Sequence, residues 1–283
     1  MITSLSNGRI KQLITLRDKS RARNKEGLFL AEGFKMFEEA PLGQLKEVYV
    51  SEVLWRELEK DAEKSRIWKK LNACREQGIF MEQLSEEVFR KVSDTQTPQG
   101  ILFVMDQLSY ELETLIKQAV IRQKEGGRAP LFLMLEDIQD PGNLGTMIRT
   151  GEGAGVDGVI MSRGTVDIYN PKTIRSTMGS LYRVPFLYVE ELAPAITLLQ
   201  QSGIRVYAAH LNGKQYFDEL SYEGGSAFLI GNEGNGLRRE TADMADTYLK
   251  IPMEGKLESL NAAVAAALLL YQAAGCHRKT KGF

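Results

Sequence analysis

The stretch LFLMLEDIQDPGNLGTMIRTGEGAG, residues 131–155, decides the fold because it holds a buried strand, a turn and a helix in immediate succession. Its five consecutive apolar residues, LFLML, predict a strand that is covered on both faces. Pro141, Gly142 and Asn143 then form a turn, after which apolar residues recur at helical spacing. A strand that leads through a turn into a helix is the repeating unit of an α/β protein.

The same alternation continues toward the C-terminus. Five further apolar runs predict strands: VDGVIM (156–161), PFLYV (185–189), IRVYAA (204–209), AFLI (227–230) and TYLKI (247–251). Helical patterns separate these runs, so we expect one mostly parallel sheet. Because ligands bind such sheets beyond the carboxyl ends of the strands, the loops that follow the strands are the places to look for function.

The first 105 residues predict a smaller α/β domain. Its strands are LFLAE (28–32), EVYV (47–50), GIFM (78–81) and ILFVM (101–105), and helical patterns separate them. Residues 106–129 form a polar helical segment that closes in GGRAP, where Gly126, Gly127 and Pro130 mark a boundary. We therefore expect a domain at 1–105, a linker at 106–129 and a second domain at 130–283.

The composition excludes several classes of protein. The chain has 283 residues, of which 36 are Lys or Arg and 37 are Asp or Glu, so a nucleic-acid partner must be argued from local patches. Two cysteines and two histidines provide neither a structural zinc site nor a disulfide framework, which favours a reducing cytoplasm and no metal. The N-terminus shows no signal peptide, and the longest apolar stretch, 260–274, is too short to span a bilayer.

Residues 7–25 form the steepest charge run, with seven basic residues against one acidic residue and a net charge of +6. Apolar residues near helical spacing predict an amphipathic helix, which a basic loop through SRARNK follows. Such a run is either a solvated helix face or a phosphate-binding surface, and composition alone does not separate the two.

Arg149 lies in the helix behind the first loop, and we expect that helix to end near residue 150 because Gly151, Gly153 and Gly155 weaken it. A guanidinium close to free helical N–H groups suits an anion. The alternative is an ion pair of Arg149 with Glu152 or Asp137.

Two further loops stand out. GNEGNGLRRE (231–240) is a glycine-rich turn that fits neither the dinucleotide motif nor the P-loop, and its Glu233 is either a turn-stabilising acceptor or an orienting carboxylate. In IPMEGKLESLNAAVAAALLLYQAAG (251–275), we expect Ser259 to cap the last helix and Asn261 to lie in its first turn. Ile251, Pro252 and Met253 form an apolar wall beside it that suits a flat aromatic ring.

Taken in order, DPGNLGTMIRT (140–150), GNEGNG (231–236) and IPM with SLNAAVAAALLLYQ (251–272) resemble the three motifs of the SpoU/TrmH family of RNA ribose 2′-O-methyltransferases. The N-terminal residues, with LFLAEGFKMFEEA, more loosely resemble the L30e-like RNA-binding domain of many family members. The resemblance implies an α/β fold of the SPOUT type with a trefoil knot, S-adenosylmethionine as the cofactor, and a homodimer.

The resemblance also implies roles for individual residues. Asn143, Arg149, Glu233 and Asn261 would build the catalytic and target-ribose site. The cofactor would contact Gly231, Ile251 and Leu260, with Met253 and Ser259 beside it. Because a guanidinium stays protonated and is a poor base, our hypothesis is that Arg149 clamps the target phosphate while a phosphate oxygen or water takes the 2′-hydroxyl proton.

The RNA substrate implied by the resemblance is ribosomal, most specifically 23S ribosomal RNA, because the N-terminal extension and the segment NPK (170–172) are similar to ribosomal-RNA members. The alternatives are a tRNA substrate and a non-catalytic RNA-binding protein. A nucleotide-dependent oxidoreductase lacks its glycine motif here. The expected phosphate contacts are Arg9, Lys11, Arg17, Lys19, Arg21, Arg23, Lys25, Lys172 and Arg175, with Arg183, Arg278, Lys279 and Lys281 as further candidates.

Overall fold

A computed structural model describes residues 1–60 and 65–280 of the chain. The chain divides into two compact units. Unit 1 comprises Met1–Leu108 with Asp167–Tyr182, and unit 2 comprises Ser109–Val166 with the chain from Arg183 onward. The segment Asp167–Tyr182, which the sequence analysis included in the second domain, is thus part of unit 1.

Unit 1 has a four-stranded mixed sheet in the order β1-β4-β2-β3, in which β1–β4 and β4–β2 are antiparallel and β2–β3 is parallel. Its core contains Ile10, Leu13 and Leu16 from the first helix, packed with Val88 and Val92. The elements are α1 (Gly8–Asp18), α2 (Ser20–Glu26), β1 (Leu28–Glu32), α3 (Phe34–Glu39), a 3-10 turn (Leu42–Gln44), β2 (Leu45–Ser51), α4 (Glu52–Lys60), α5 (Arg66–Glu76), β3 (Phe80–Leu84), α6 (Glu86–Val92), β4 (Ile101–Asp106), and, in the segment Asp167–Tyr182, α9 (Pro171–Thr177) and a 3-10 turn (Ser180–Tyr182).

Unit 2 has a seven-stranded sheet in the order β7-β6-β5-β10-β8-β11-β9, and every pair of neighbouring strands is parallel. All residues of β5, β6 and β10 are buried, as their continuous apolar sequences predict. The elements are α7 (Leu112–Lys124), β5 (Leu131–Leu135), α8 (Pro141–Ala154), β6 (Gly158–Ser162), β7 (Phe186–Val189), α10 (Leu192–Gln201), β8 (Arg205–Ala209), β9 (Gln215–Tyr216), β10 (Ser226–Ile230), α11 (Arg239–Ala242), β11 (Thr247–Lys250) and α12 (Ala262–Thr280).

The strand order places the functional loops together. β10 lies between β5 and β8, so the loop after β5 and the loop after β10 leave neighbouring parallel strands at the same edge of the sheet. β11 follows β8 on the same sheet, and the loop after it leads into α12, which packs on α8 and β10. The three loops singled out from the sequence therefore meet at one edge.

Several local predictions were wrong. The stretch SRARNK is helical in α2 rather than a loop, and the predicted linker contains α7, whose apolar stripe of Leu112, Leu115 and Ile116 is buried in the core of unit 2. α8 continues to Ala154 instead of ending near residue 150. Its glycines are retained by packing: a Cβ at Gly151 would lie 3.0 Å from the Val156 side chain.

Within residues 1–60 and 65–280, the longest apolar helices all fall short of what a membrane crossing would need.

Candidate functional site

The loop between β5 and α8 is held by a carboxylate from the neighbouring loop. Asp140 caps α8, since its side chain accepts a hydrogen bond from the Asn143 amide N at 2.8 Å. Glu233, from the loop after β10, accepts from the backbone N–H groups of Gln139 and Asp140, both at 3.0 Å. Glu233 therefore stabilises the neighbouring loop and not only its own turn.

Glu233, Asn143 and Asn261 form one chain of hydrogen bonds. The Asn143 side-chain amide donates from Nδ2 to Glu233 Oε1 at 3.0 Å, and Asn261 Nδ2 donates to Asn143 Oδ1 at 3.0 Å. Burial raises the pKa of Glu233, but the bonds donated by Asn143 and by the two backbone amides outweigh burial and lower that pKa below its ordinary value. The carboxylate therefore stays ionised, and three of the four predicted catalytic residues lie in direct contact.

Asn261, and not Ser259, caps α12. Its Oδ1 accepts from the amides of Ala263 at 2.9 Å and Val264 at 3.3 Å, which are the second and third residues of the helix. This cap fixes which end of the Asn261 amide faces the helix, so that Nδ2 points toward Asn143. The prediction that Ser259 caps the helix and that Asn261 lies in its first turn was wrong, because the helix begins two residues later than a Ser259 cap requires.

A strained turn at Asp137 joins the two loops that carry Asn143 and Glu233. Asp137 has a φ of 53°, in the left-handed region, and its N–H donates to the Ser162 hydroxyl at 2.8 Å. Gly164 makes this turn possible, because a Cβ there would lie 2.1 Å from Asp137 Oδ1. The Asp137 carbonyl accepts from Asn232 Nδ2 at 2.8 Å and from Gln139 Nε2 at 2.9 Å, which joins the loops after β5 and β10.

A buried carboxylate makes a second connection between these loops. Glu136 is 1% exposed, and it accepts from the Arg238 amide at 2.6 Å and from the Arg238 Nε at 2.9 Å. The Thr241 hydroxyl also donates to it. Because a buried carboxylate needs such partners, Glu136 fixes the position of the loop after β10 against β5.

A cleft of about 590 Å³ opens beside the chain. All five predicted cofactor residues line it: Gly231, Ile251, Met253, Ser259 and Leu260. A Cβ at Gly231 would lie 2.2 Å from backbone atoms of Gly236 and Leu237, so only glycine fits there. A second, contiguous cavity of about 500 Å³ is lined by residues that include Asn143, Glu233 and Asn261.

The cleft has a wall that the sequence analysis missed. It is formed by Ala209 at the end of β8, by His210 and Leu211 of the loop that follows, and by Tyr216 and Lys250. The Lys250 ammonium lies 4.8 Å from the centroid of the Tyr216 ring. The signal was available, since this loop also follows the carboxyl end of a buried strand.

Arg149 is not brought to the hydrogen-bond chain. It is exposed on α8, and within the described parts of the chain it makes neither a hydrogen bond nor an ion pair. The pairing with Glu152 or Asp137 that the sequence left open is wrong, because Glu152 binds Arg183 and Asp137 binds Ser162. Six residues separate Arg149 from Asn143, which places it about 9 Å further along the helix and about 120° around it.

The predicted RNA contacts fall into two groups. Some are already engaged within unit 1: Arg9 binds Glu47, Arg17 binds Asp18, Arg175 binds Asp94, and Arg23, only 3% exposed, binds Asp167. The others lie exposed on the surface, and they are Lys11, Lys19, Arg21 and Lys25, with Lys172 exposed in the first turn of α9. Of the further candidates, Arg183 binds Glu152 and Arg278 is exposed, whereas the Lys279 side chain and Lys281 lie outside the described residues.

The engaged arginines act as structural groups. Arg23 donates to the carbonyls of Leu16 at 2.7 Å and Arg17 at 2.9 Å, at the C-terminal end of α1, and to the Asp167 carboxylate at 2.9 Å and 2.5 Å. A buried guanidinium with its donors satisfied in this way cannot also bind phosphate. The structure therefore places Arg23 in a structural role and not among the exposed phosphate contacts that were predicted. The pairing has no local sequence signal, because Asp167 lies 144 residues away from Arg23 in the sequence.

Comparison with known proteins gives a consistent picture. Residues 130–271 match the SpoU rRNA Methylase family, and residues 7–102 match the MRM3-like substrate binding domain. The chain is 35% identical over 276 residues to the 23S rRNA (guanosine(2553)-2′-O)-methyltransferase RlmP of Bacillus subtilis, covering 97% of this chain and 99% of that protein.

Solved structures agree. An AdoMet-bound rRNA methyltransferase from Sinorhizobium meliloti superposes with a TM-score of 0.78 at 28% identity, covering 96% of each chain. The SpoU methyltransferase AviRb from Streptomyces viridochromogenes has a TM-score of 0.79 at 22% identity and covers 98% of this chain and 100% of its own, which supports the fold.

Proposed function

Since the chain belongs to the SpoU rRNA methylase family, we propose that it transfers a methyl group from S-adenosylmethionine to a ribose 2′-hydroxyl of RNA, with 23S ribosomal RNA as the substrate. The observation that carries the proposal is the hydrogen-bond chain Glu233–Asn143–Asn261 at the edge of the large cleft. The curated relative of Bacillus subtilis, similar over nearly the whole chain, supports the ribosomal substrate.

The cleft fits the cofactor. Ile251, Met253 and Leu260 combine apolar side chains with backbone N–H groups that make no hydrogen bond within the described residues, which is what a flat heteroaromatic ring with polar edges requires. Gly231 allows the loop after β10 to fold back on itself at the edge of the cleft, because a Cβ there would meet the backbone of Gly236 and Leu237. Ser259 and Met253 lie on the same wall. When bound, S-adenosylmethionine would supply an electrophilic methyl group, and no metal is needed for that chemistry.

The amide pair would bind the ribose. Each side-chain amide has two N–H donors, and Asn143 and Asn261 use one each within the hydrogen-bond chain. The second N–H of each is left for the adjoining cavity, to whose lining both belong. Donors fixed in this way would hold the ribose oxygens and stabilise negative charge on the 2′-oxygen as it loses its proton.

Arg149 would act on the phosphate rather than as a base. Its exposed guanidinium has two-pronged geometry suited to a phosphate, and the 2′-hydroxyl proton would pass to a phosphate oxygen or to water. Near-normal turnover of Arg149→Lys would contradict this bidentate clamp, because an ammonium cannot reproduce it.

The exposed face of α12 supports a homodimer. Val264, Leu268 and Tyr271 are 49%, 38% and 48% exposed and recur at helical spacing, so they form one apolar stripe. Gly153 of α8 lies against the Tyr271 hydroxyl, and Arg149 precedes it by one turn on the same side. A second copy that covers the stripe would bring Arg149 to the interface. Leu268→Lys should yield monomers in light scattering, whereas Val53→Lys, at an exposed apolar residue of unit 1, should not.

In this proposal the enzyme is cytoplasmic, and its two parts have different roles. Residues 7–102 would bind RNA, and the domain from residue 130 would carry out catalysis, with the trefoil knot of the family around its cofactor loops.

The test is methylation of defined RNA. The purified protein is incubated with tritium-labelled S-adenosylmethionine and unmodified 23S ribosomal RNA or tRNA, and alkali-resistant dinucleotides are then counted. Label in 23S ribosomal RNA supports the proposal, and Asn143→Ala should abolish it. Label only in tRNA would overturn the substrate. Cofactor binding without label in any RNA, including assembled ribosomal subunits, would favour the non-catalytic RNA-binding protein.

A further inference from the structure

Arg17 joins two helices of unit 1 at one place. Its guanidinium donates to the carbonyls of Lys91 at 2.7 Å and Val92 at 3.0 Å, at the C-terminal end of α6. Its own carbonyl accepts a hydrogen bond from Arg23 of α2 at 2.9 Å. Both helices therefore contact residue 17, and the side chains that project outward nearby belong to one surface.

Three of the carboxylates around this place are already paired with arginines. Each is held by an arginine that also packs into unit 1: Asp18 by Arg17, Asp94 by Arg175 and Asp167 by Arg23. Because these ion pairs are internal to the unit, these three carboxylates do not compensate the cations further out.

Five exposed cations lie around this place, and within residues 1–60 and 65–280 none of their side chains makes a hydrogen bond or an ion pair. They are Lys19, Arg21 and Lys25 at α2 and Arg90 and Lys91 in the last turn of α6. Arg21 and Lys25 are four residues apart and share a helix face. The exposed carboxylates of Glu87, one turn before Lys91, and of Glu26, next to Lys25, reduce the net charge of the set to +3.

We propose that these five residues, the α2–α6 cationic surface, bind the phosphate backbone of the RNA substrate, an inference that rests on the proposed function. The set contains no aromatic side chain on which a base could stack, so it suits phosphates rather than bases. Arg90 and Lys91 extend the basic run of the N-terminus to a helix more than 60 residues away. Arg17, Arg23 and Arg175 are its scaffold and not its contacts.

The salt dependence of RNA affinity tests the surface. Dissociation constants of the full-length protein for unmodified 23S ribosomal RNA transcript are measured between 50 and 200 mM KCl. Removing two phosphate contacts in Arg90→Gln/Lys91→Gln should lower the slope of log affinity against log salt by about 2, since each contact contributes about 1. The wild type should then lose about 16-fold more affinity than the variant over this range.

Matched controls give each result a meaning. Arg66→Gln/Lys69→Gln removes two exposed cations from α5 of the same unit, whose side chains make no hydrogen bond or ion pair with other described residues, and should leave the slope within about 0.5 of the wild type. Lys19→Gln/Arg21→Gln should reproduce the loss of about 2.

An unchanged slope in both surface variants would overturn the inference, as would equal losses in the α5 control or a wild type without salt-dependent RNA binding. Methyl transfer, followed in parallel, separates this failure from that of the proposed function, because RNA binding without methylation would contradict only the latter.

Discussion

The direction of the hydrogen bonds between Asn261, Asn143 and Glu233 can be tested with a change of one atom. In Asn143→Asp the donor that faces Glu233 Oε1 at 3.0 Å becomes a carboxylate oxygen, while the oxygen that accepts from Asn261 is kept. The substitution therefore replaces one hydrogen bond by a repulsion between like charges and leaves the other bond in place.

The magnitude follows from that distance. Two unit charges 3.0 Å apart repel by about 1.4 kcal/mol in bulk water and about 5.5 kcal/mol at an effective dielectric constant of 20. Because Glu233 is exposed, the lower value applies, and the loss of position should reduce kcat/KM at pH 8 by about tenfold or more. Acid should partly restore the rate, since a proton shared by two close carboxyl groups recreates a hydrogen bond between them.

The assay is the initial rate of methyl transfer to 23S ribosomal RNA between pH 5.5 and 8.5, expressed as the ratio of variant to wild type. The ratio for Asn143→Asp should rise as the pH falls, whereas the ratio for Asn143→Ala, which has no second carboxylate, should stay low and flat. Affinity for S-adenosylmethionine serves as the control for folding. A flat ratio for Asn143→Asp, or a rate close to wild type at pH 8, would refute the assignment of donor and acceptor in the chain.

Three further predictions follow from the packing. Gly231→Ala should abolish cofactor binding in calorimetry because its Cβ would meet backbone at 2.2 Å, whereas Gly234→Ala, whose nearest neighbour is a side-chain atom at 3.5 Å, should bind normally. Arg23→Met should lower the free energy of unfolding in urea by about 3 kcal/mol, since it leaves the Asp167 carboxylate without its partner, and an unchanged midpoint would contradict a structural role. Burial lowers the pKa of His277, whose Nε2 has no hydrogen-bond partner in the described structure. The free energy of unfolding should therefore decrease as the pH falls below about 6.5, because the unfolded chain takes up a proton there and the folded chain does not. His277→Leu should remove this part of the pH dependence.

The sequence predicts elements better than it predicts which of them meet. β1 and β5 have the predicted bounds, because apolar runs are local signals. The two-residue strand β9 was not predicted, since a pair of exposed residues carries no periodicity. The choice of Asn261 over Ser259 as the cap depends on where α12 begins, and helix ends are poorly marked when both candidates can cap.

Long-range partners explain the remaining differences at the site. Glu233 and Asn143 are 90 residues apart, and they meet because β10 inserts next to β5, an order that no local pattern in either strand specifies. The family resemblance supplied the four predicted catalytic residues together, but hydrogen bonds connect only three of them, and Arg149 lies elsewhere on α8. A sequence motif thus predicts that residues share a function, but it does not predict that they are in contact within one chain.

The basic run illustrates the same separation between charge and role. Each of its four arginines and three lysines contributes one positive charge to the net charge of +6, yet the structure uses them differently. Arg17 and Arg23 each bind several carbonyls and a carboxylate, which the planar guanidinium can satisfy at once, while Lys19 and Lys25 remain at the surface. Arg17 and Arg23 donate to carbonyls at the C-terminal ends of α6 and α1, and these bonds fix the positions of both arginines. In the proposal above, the RNA phosphates bind the exposed cations that have no such partner.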